Sequence, residues 1–180
     1  MSKILVISSS LRARSNSEAL VERVAAGARD AGHEVEVLSL KGKDIRFCIG
    51  CLACQRTHRC VQRDGMADML EQLRRAETIV FATPIYYYEL SGQLKTFLDR
   101  TNPVYDSEYD FRNIYLLSVA ADDDPATPER AVNGLQGWIA CFDKSRLAGS
   151  IFFGGIDPAG AAAADAAALD RAYQFGQELE

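Results

Sequence analysis

The sequence predicts an α/β protein with one five-stranded parallel sheet of order 2-1-3-4-5, covered by helices on both faces. Three observations predict it. Five short apolar runs rich in β-branched residues alternate with segments whose apolar residues recur at helical spacing. Right-handed crossovers leave few ways to join five parallel strands, and 2-1-3-4-5 is the commonest. The unusual residues gather after the first and third strands, where this order places a ligand crevice.

The elements follow in chain order. Ile4-Leu5-Val6-Ile7 is a buried strand ended by three serines. Ser15-Asn16-Ser17 offers helix-capping hydroxyls and an amide, and Glu18 puts an acid in the first turn. Leu20, Val21, Val24, Ala25 and Ala28 then form an apolar helical stripe closed by Gly32. Val35, Val37 and Leu38 make the second strand. Residues 41–64 carry no period and read as a long loop. Met66, Met69, Leu70 and Leu73 fit a helix. Ile79-Val80-Phe81-Ala82 is the third strand, stopped by Thr83-Pro84. Leu94, Phe97 and Leu98 fit a helix starting near Ser91. Asn113 to Ala120 is the fourth strand, and Ala131 to Phe142 a helix that buries Cys141 as a small core residue. Arg146 to Phe153 is the fifth strand, ended by Gly154-Gly155. One alanine-rich helix is expected from about Gly160 to Glu178.

The 180 residues suit one domain over 1–180. A net charge of −5 argues against nucleic-acid and anionic-membrane partners. The charge is uneven: residues 1–100 hold fifteen Lys and Arg against twelve Asp and Glu, while residues 101–180 hold five against thirteen. The basic excess lies between Lys41 and Arg63, either a solvated loop or a surface for an anionic partner. No apolar run is long enough to span a bilayer. The first apolar run reads as a strand rather than a leader, which gives the expectation of a cytoplasmic protein.

The loop Ser8 to Ser17 joins the first strand to the first helix. A helix N-terminus offers unpaired amides and a partial positive charge, and hydroxyls, Asn16 and Arg12 can add to them. The loop has neither dinucleotide-type glycine spacing nor the Gly-Lys-Ser/Thr of a triphosphate loop. It suits a single terminal phosphate, or else is an ordinary polar capping loop. After the third strand, Pro84 directs the chain out of the sheet. Tyr86-Tyr87-Tyr88 can border a flat ligand, or can pack within the protein or at a subunit interface.

Two segments resemble the NAD(P)H-dependent FMN reductase group. One is Ser10-Leu11-Arg12-Ala13-Arg14-Ser15-Asn16-Ser17, similar to its Ser-x-Arg-x-x-Ser-Asn-Ser/Thr loop. The other runs from Ala82-Thr83-Pro84-Ile85-Tyr86-Tyr87-Tyr88-Glu89 through Asp99-Arg100 and resembles its second signature. The resemblance extends from Met1 to about Val119. It implies a flavodoxin-like fold, FMN as cofactor, and often a homodimer or larger homo-oligomer. It assigns the FMN phosphate to Ser9, Arg12, Ser15, Asn16 and Ser17, and the flavin to Pro84, Ile85, Tyr86 and Tyr87. A third flavin loop should begin at Ser118. Here glycines are expected, but Ala120, Ala121 and three aspartates stand instead. They either lower the flavin potential or are solvated turn residues before Pro125.

Cys48, Cys51, Cys54 and Cys60 have the spacing C-x2-C-x2-C-x5-C. Four such thiolates can wrap a cubane 4Fe-4S cluster, and iron–sulfur flavoproteins that share the loops above resemble this run. Free thiols in a capping loop, and zinc, are the alternatives. The function so implied is an FMN-dependent oxidoreductase passing electrons from NAD(P)H to a quinone or other small acceptor. One alternative is an iron–sulfur flavoprotein electron carrier served by ferredoxin. Another is a non-enzymatic phospho-ligand binding module. A phosphoacceptor receiver would need acids after the first strand, where Ser8-Ser9-Ser10 has none. No residue is assigned as a general acid or base, because the cofactor carries the chemistry.

Overall fold

The computed structural model describes residues 1–180. Its strands are β1 (Lys3–Ser8), β2 (Glu34–Ser39), β3 (Thr78–Pro84), β4 (Asn113–Val119) and β5 (Arg146–Phe153). All are parallel, in the order β2-β1-β3-β4-β5. The helices are α1 (Asn16–Asp30), α2 (Cys54–Thr57), α3 (Met66–Arg75), α4 (Gly92–Asp99), α5 (Glu129–Ile139), α6 (Ala161–Ala164) and α7 (Ala166–Gln177).

Alternation along the central strands sends side chains into two cores. Leu5, Ile7, Ile79 and Phe81 face α3, α4 and α5, whose Leu73, Phe97 and Leu135 are fully buried. Ile4, Val6, Val80 and Leu117 face α1 and α7. The latter two helices cross with almost no room between their backbones. A Cβ on Gly27 would stand 2.0 Å from the Tyr173 carbonyl oxygen, and one on Gly176 would stand 2.1 Å from that of Val24. The register of β4 against β5 slips between Ile114 and Tyr115. There the Tyr115 ring lies over Gly149, 3.2 Å from where a Cβ would be.

Every expected strand and its place in the sheet is present. One helix end, the continuity of the last helix and one cysteine differ from the sequence reading. The last helix is broken: Asp165 is extended (φ −96°, ψ 97°) and its carboxylate caps α7 by accepting from the Ala168 amide. An Asp in an otherwise uniform alanine tract offers a better cap than helix residue, so the helix restarts there. Helix α5 stops at Ile139, short of Phe142. Cys141 therefore lies in the following turn and is exposed, not a core residue. The loop at 41–64 contains the single helical turn α2.

Candidate functional site

The sheet order makes β1 and β3 neighbours, with Ser8 beside Ala82 and Thr83 beside Ser118. The loops leaving these strands meet at their carboxyl ends, where connections diverge to opposite faces of the sheet.

The β1–α1 loop is a fixed structure. Ser15 caps α1, accepting from the Glu18 amide at 3.2 Å. The amides of Ala13, Arg14 and Ser15 donate to nothing else in the chain, and those of Asn16 and Ser17 sit in the first helical turn, where no intrahelical partner exists. Five consecutive N–H groups at the positive end of α1 are therefore left without a partner in the protein, the kind of donor set that suits an anion. Most of the side chains have structural duties. Ser9 Oγ donates to the Ala82 carbonyl at 3.0 Å and receives from Ser91 Oγ at 2.9 Å. Asn16 is locked to the loop after β5. Its Nδ2 donates to Pro158, and its Oδ1 accepts from the amides of Gly160 and Ala162, all within 2.9–3.1 Å. Arg12 reaches the same loop, donating from Nη1 to the Asp157 carbonyl at 2.8 Å. Ser17 is buried.

After β3, Tyr86 and Glu89 exchange backbone hydrogen bonds of 3.1 Å. Between them Tyr87 and Tyr88 both have positive φ, +50° and +66°. This is a tight reversal of a kind that normally selects Asn-Gly, and each tyrosine stands in the left-handed region at a cost of about 1–2 kcal/mol. The turn leaves its rings outward: Tyr87 is 97% exposed and Tyr86 53%. Ile85 is held by its amide to the Val119 carbonyl at 2.8 Å. Tyr88 leans toward the start of α5, with Arg130 6.0 Å from its ring. Pro84 and Ile85 are half-buried beneath the turn.

Ser118 lies apart from these exposed groups. It is buried in β4, its hydroxyl 3.5 Å from the Ile151 carbonyl. The aspartates after it are turn formers. Asp122 accepts from Thr127 Oγ1 and from the Asp124 amide, which hold its carboxyl below the usual carboxylate range. A cleft of about 370 Å³ flanks the crevice, walled by Leu11, Leu40, Ile45, Phe47, Gly92 and Thr96.

Ser91 begins a helix as the sequence predicts, but its cross-links within the crevice have no sequence signal. It caps α4 by accepting from the Leu94 amide, and its own amide donates to Thr83 Oγ1. It thus ties β1, β3 and α4 together beneath the crevice. The loop 157–162 was missed as a partner of Asn16 and Arg12. Its Pro158 and Gly160 are a turn signal but name no partner.

The four clustered cysteines come together. Cys48, Cys51, Cys54 and Cys60 line one small cavity with Ile49, Leu52 and Arg100. The loop achieves this with three left-handed residues, Gly50, Leu52 and His58. Burial pushes the Cys54 thiol up, and the three neighbouring thiols add to it. The cavity is about 20 Å³, room for about one water, and no three of the sulfurs stand at metal-ligand spacing. The donor set suits an iron–sulfur cluster, whereas the side chains as they stand are not a preformed ligand sphere.

A buried ion pair anchors this loop. Arg100 pairs with Asp64 in bidentate fashion at 2.6 and 3.0 Å, with both side chains at 1% exposure or less. Arg100 Nη1 also donates to the Arg46 carbonyl at 2.6 Å, and the Arg46 amide donates to Asp64 at 3.0 Å. Both ends of the loop are thereby fastened to the end of α4. Despite its burial, the carboxyl of Asp64 falls to about 2, because the Arg100 guanidinium and the Arg46 and Met66 amides all donate to it. Asp99 pairs with Lys95 at 2.6 Å on the surface, while Arg100 turns inward.

Together these features define a flavodoxin-like α/β protein with a loop of unpaired amides and an aromatic turn at its topological switch point. Residues 2–143 match the NADPH-dependent FMN reductase family, and the chain belongs to it. An iron–sulfur flavoprotein of Archaeoglobus fulgidus is 35% identical over 111 residues, covering 62% of this chain and 54% of that protein. The iron–sulfur flavoprotein of Methanosarcina thermophila is 26% identical over 156 residues, covering 86% and 81%. The chain spans about half the length of the first curated relatives it matches. Among solved structures, an NAD(P)H:quinone oxidoreductase from Methanothermobacter marburgensis superposes with a TM-score of 0.73 at 16% identity, covering 99% of both chains. No helix is long and apolar enough to cross a membrane.

Proposed function

We propose that the chain is an FMN-dependent oxidoreductase that passes electrons from NAD(P)H to a quinone or another small acceptor. The observation that carries this reading is the row of unpaired amides from Ala13 to Ser17 beside the outward-facing tyrosine turn. The donor chemistry fits the phosphate of FMN, with Ser15, Ser17 and Arg12 beside those amides, and Ser9 and Asn16 holding the loop in shape. Pro84, Ile85, Tyr86 and Tyr87 would border the ring, with the segment from Ser118 onward on its other side. When bound, FMN supplies hydride acceptance and one- or two-electron transfer. The residues of this chain bind and orient. The amides neutralise the phosphate, the strained turn presents a stiff aromatic edge, and the Ser9–Ser91 bond keeps the two loops in register. Titrating the purified protein with FMN and with riboflavin tests this. The reading expects FMN to bind at least about tenfold tighter, since a phosphate held by charge-assisted bonds adds more than 1.4 kcal/mol. Equal affinity for the two would refute the phosphate assignment.

A second reading has its own observation: four thiols around one cavity backed by a buried arginine. In it Cys48, Cys51, Cys54 and Cys60 hold a cubane 4Fe-4S cluster, and the chain is an iron–sulfur flavoprotein. Such a protein would take electrons from ferredoxin at the basic stretch 41–63. Both readings place the protein in the cytoplasm, as a homodimer or larger homo-oligomer. Iron and sulfide analysis of anaerobically prepared protein separates them, and one cubane per chain favours the second.

A further inference from the structure

The guanidinium of Arg100 does more than brace the loop. Its Nη2 lies 3.5 Å from Cys60 Sγ, within hydrogen-bond reach of a sulfur acceptor. Its Nε is buried and has no partner in the protein. An unpaired buried N–H costs about 1–3 kcal/mol, and few survive in native proteins without a reason. Arg100 also lines the cysteine cavity, although its charge is already matched by Asp64.

We propose that Arg100 is a positioning and potential-setting residue for the four-cysteine site. Through Nη2 and Nε it donates to the sulfur atoms and stabilises the more negative, reduced state of what they hold. This rests on the reading that the cysteines hold an iron–sulfur cluster. Reduction adds one electron to the cluster from an external donor such as dithionite, with no bond broken and no proton taken up. Hydrogen bonds to cluster sulfurs favour the reduced state, because they are stronger when the sulfurs carry more charge. Asp64 has the opposite influence. Its carboxylate offsets the arginine charge near the cavity while fixing the fork that aims the guanidinium.

The two partners can therefore be told apart by sign. In Arg100→Lys one cation remains, but the planar fork and its Nε donor are lost. In Asp64→Asn the fork remains and the compensating anion is lost. The experiment uses full-length protein, reconstituted anaerobically with iron and sulfide and titrated with dithionite under EPR detection. Iron per chain, FMN per chain and circular dichroism are measured on the same samples. Arg100→Lys is expected to lower the reduced-to-oxidised ratio at fixed poise by about tenfold, a 59 mV fall for one electron. Asp64→Asn is expected to raise it. Iron-loaded variants with unchanged potentials, or with shifts of the same sign, overturn the proposal and leave the cluster reading standing. A parent protein that folds and takes up no iron overturns both. If Arg100→Lys fails to fold, Asp64→Asn alone decides: an upward shift supports the proposal, and no shift or a downward one refutes it.

Discussion

Lowering the pH should unlock the cysteine loop at Asp64. The Arg100–Asp64 pair is buried at the root of that loop, and the Asp64 carboxyl sits at about 2 against an ordinary 3.8. The folded value is depressed, so the pair stabilises the fold fully above the unfolded pKa. That contribution fades as pH falls through 3.8 toward about 2. The difference between 3.8 and about 2, at about 1.4 kcal/mol per pH unit, gives about 2.5 kcal/mol. Asp64→Asn removes the titrating group. Urea unfolding of the parent and of Asp64→Asn between pH 7 and pH 2 measures the difference. At pH 7 the variant should be less stable by about 3 kcal/mol, because a buried arginine is left unpaired. On acidification to pH 2 the gap should narrow by about 2 kcal/mol, most of it below pH 4. Parallel curves across that window would mean that Asp64 is not held ionised by Arg100, and the account of the loop anchor would fail.

Three other perturbations probe other parts of the fold and crevice. Gly27→Ala should lower stability by about 3 kcal/mol, since its methyl would meet the Tyr173 carbonyl at 2.0 Å, and thermal melting reads this directly. Tyr87→Gly should raise the melting temperature by about 1–2 °C, because left-handed strain is relieved against a small entropic cost, while flavin affinity weakens. Asn16→Ala should cost about 2–4 kcal/mol by stranding the amides of Gly160 and Ala162, and calorimetry should show the loss with or without FMN.

The centre of the sheet was legible because β1 and β3 carry continuous apolar runs, as parallel strands buried on both faces require. Ile4–Ile7 and Ile79–Ala82 leave no other assignment. The crevice was legible for a related reason: once β1 and β3 are neighbours, the loops after them must meet. Pairwise identities were not legible. That Asn16 serves the β5–α6 loop, or that Arg100 selects Asp64 over Asp99, depends on tertiary geometry no local spacing encodes. Tyr87 and Tyr88 in the left-handed region contradict local propensity outright. Such conflicts between local preference and fold concentrate where function demands a shape, and here they mark the turn at the crevice. The break at Asp165 was legible in principle as a cap signal, but the alanines around it suggested one uninterrupted helix.

Electron flow through a flavin seated at the switch point is the most direct test of the proposed function. Protein loaded with FMN and freed of excess is mixed anaerobically with NADH and, separately, with NADPH, while the visible flavin band is followed. The account predicts that at least one of the two bleaches the band and that adding a quinone restores it. A band that survives both nucleotides, in protein that holds one FMN per chain, contradicts it.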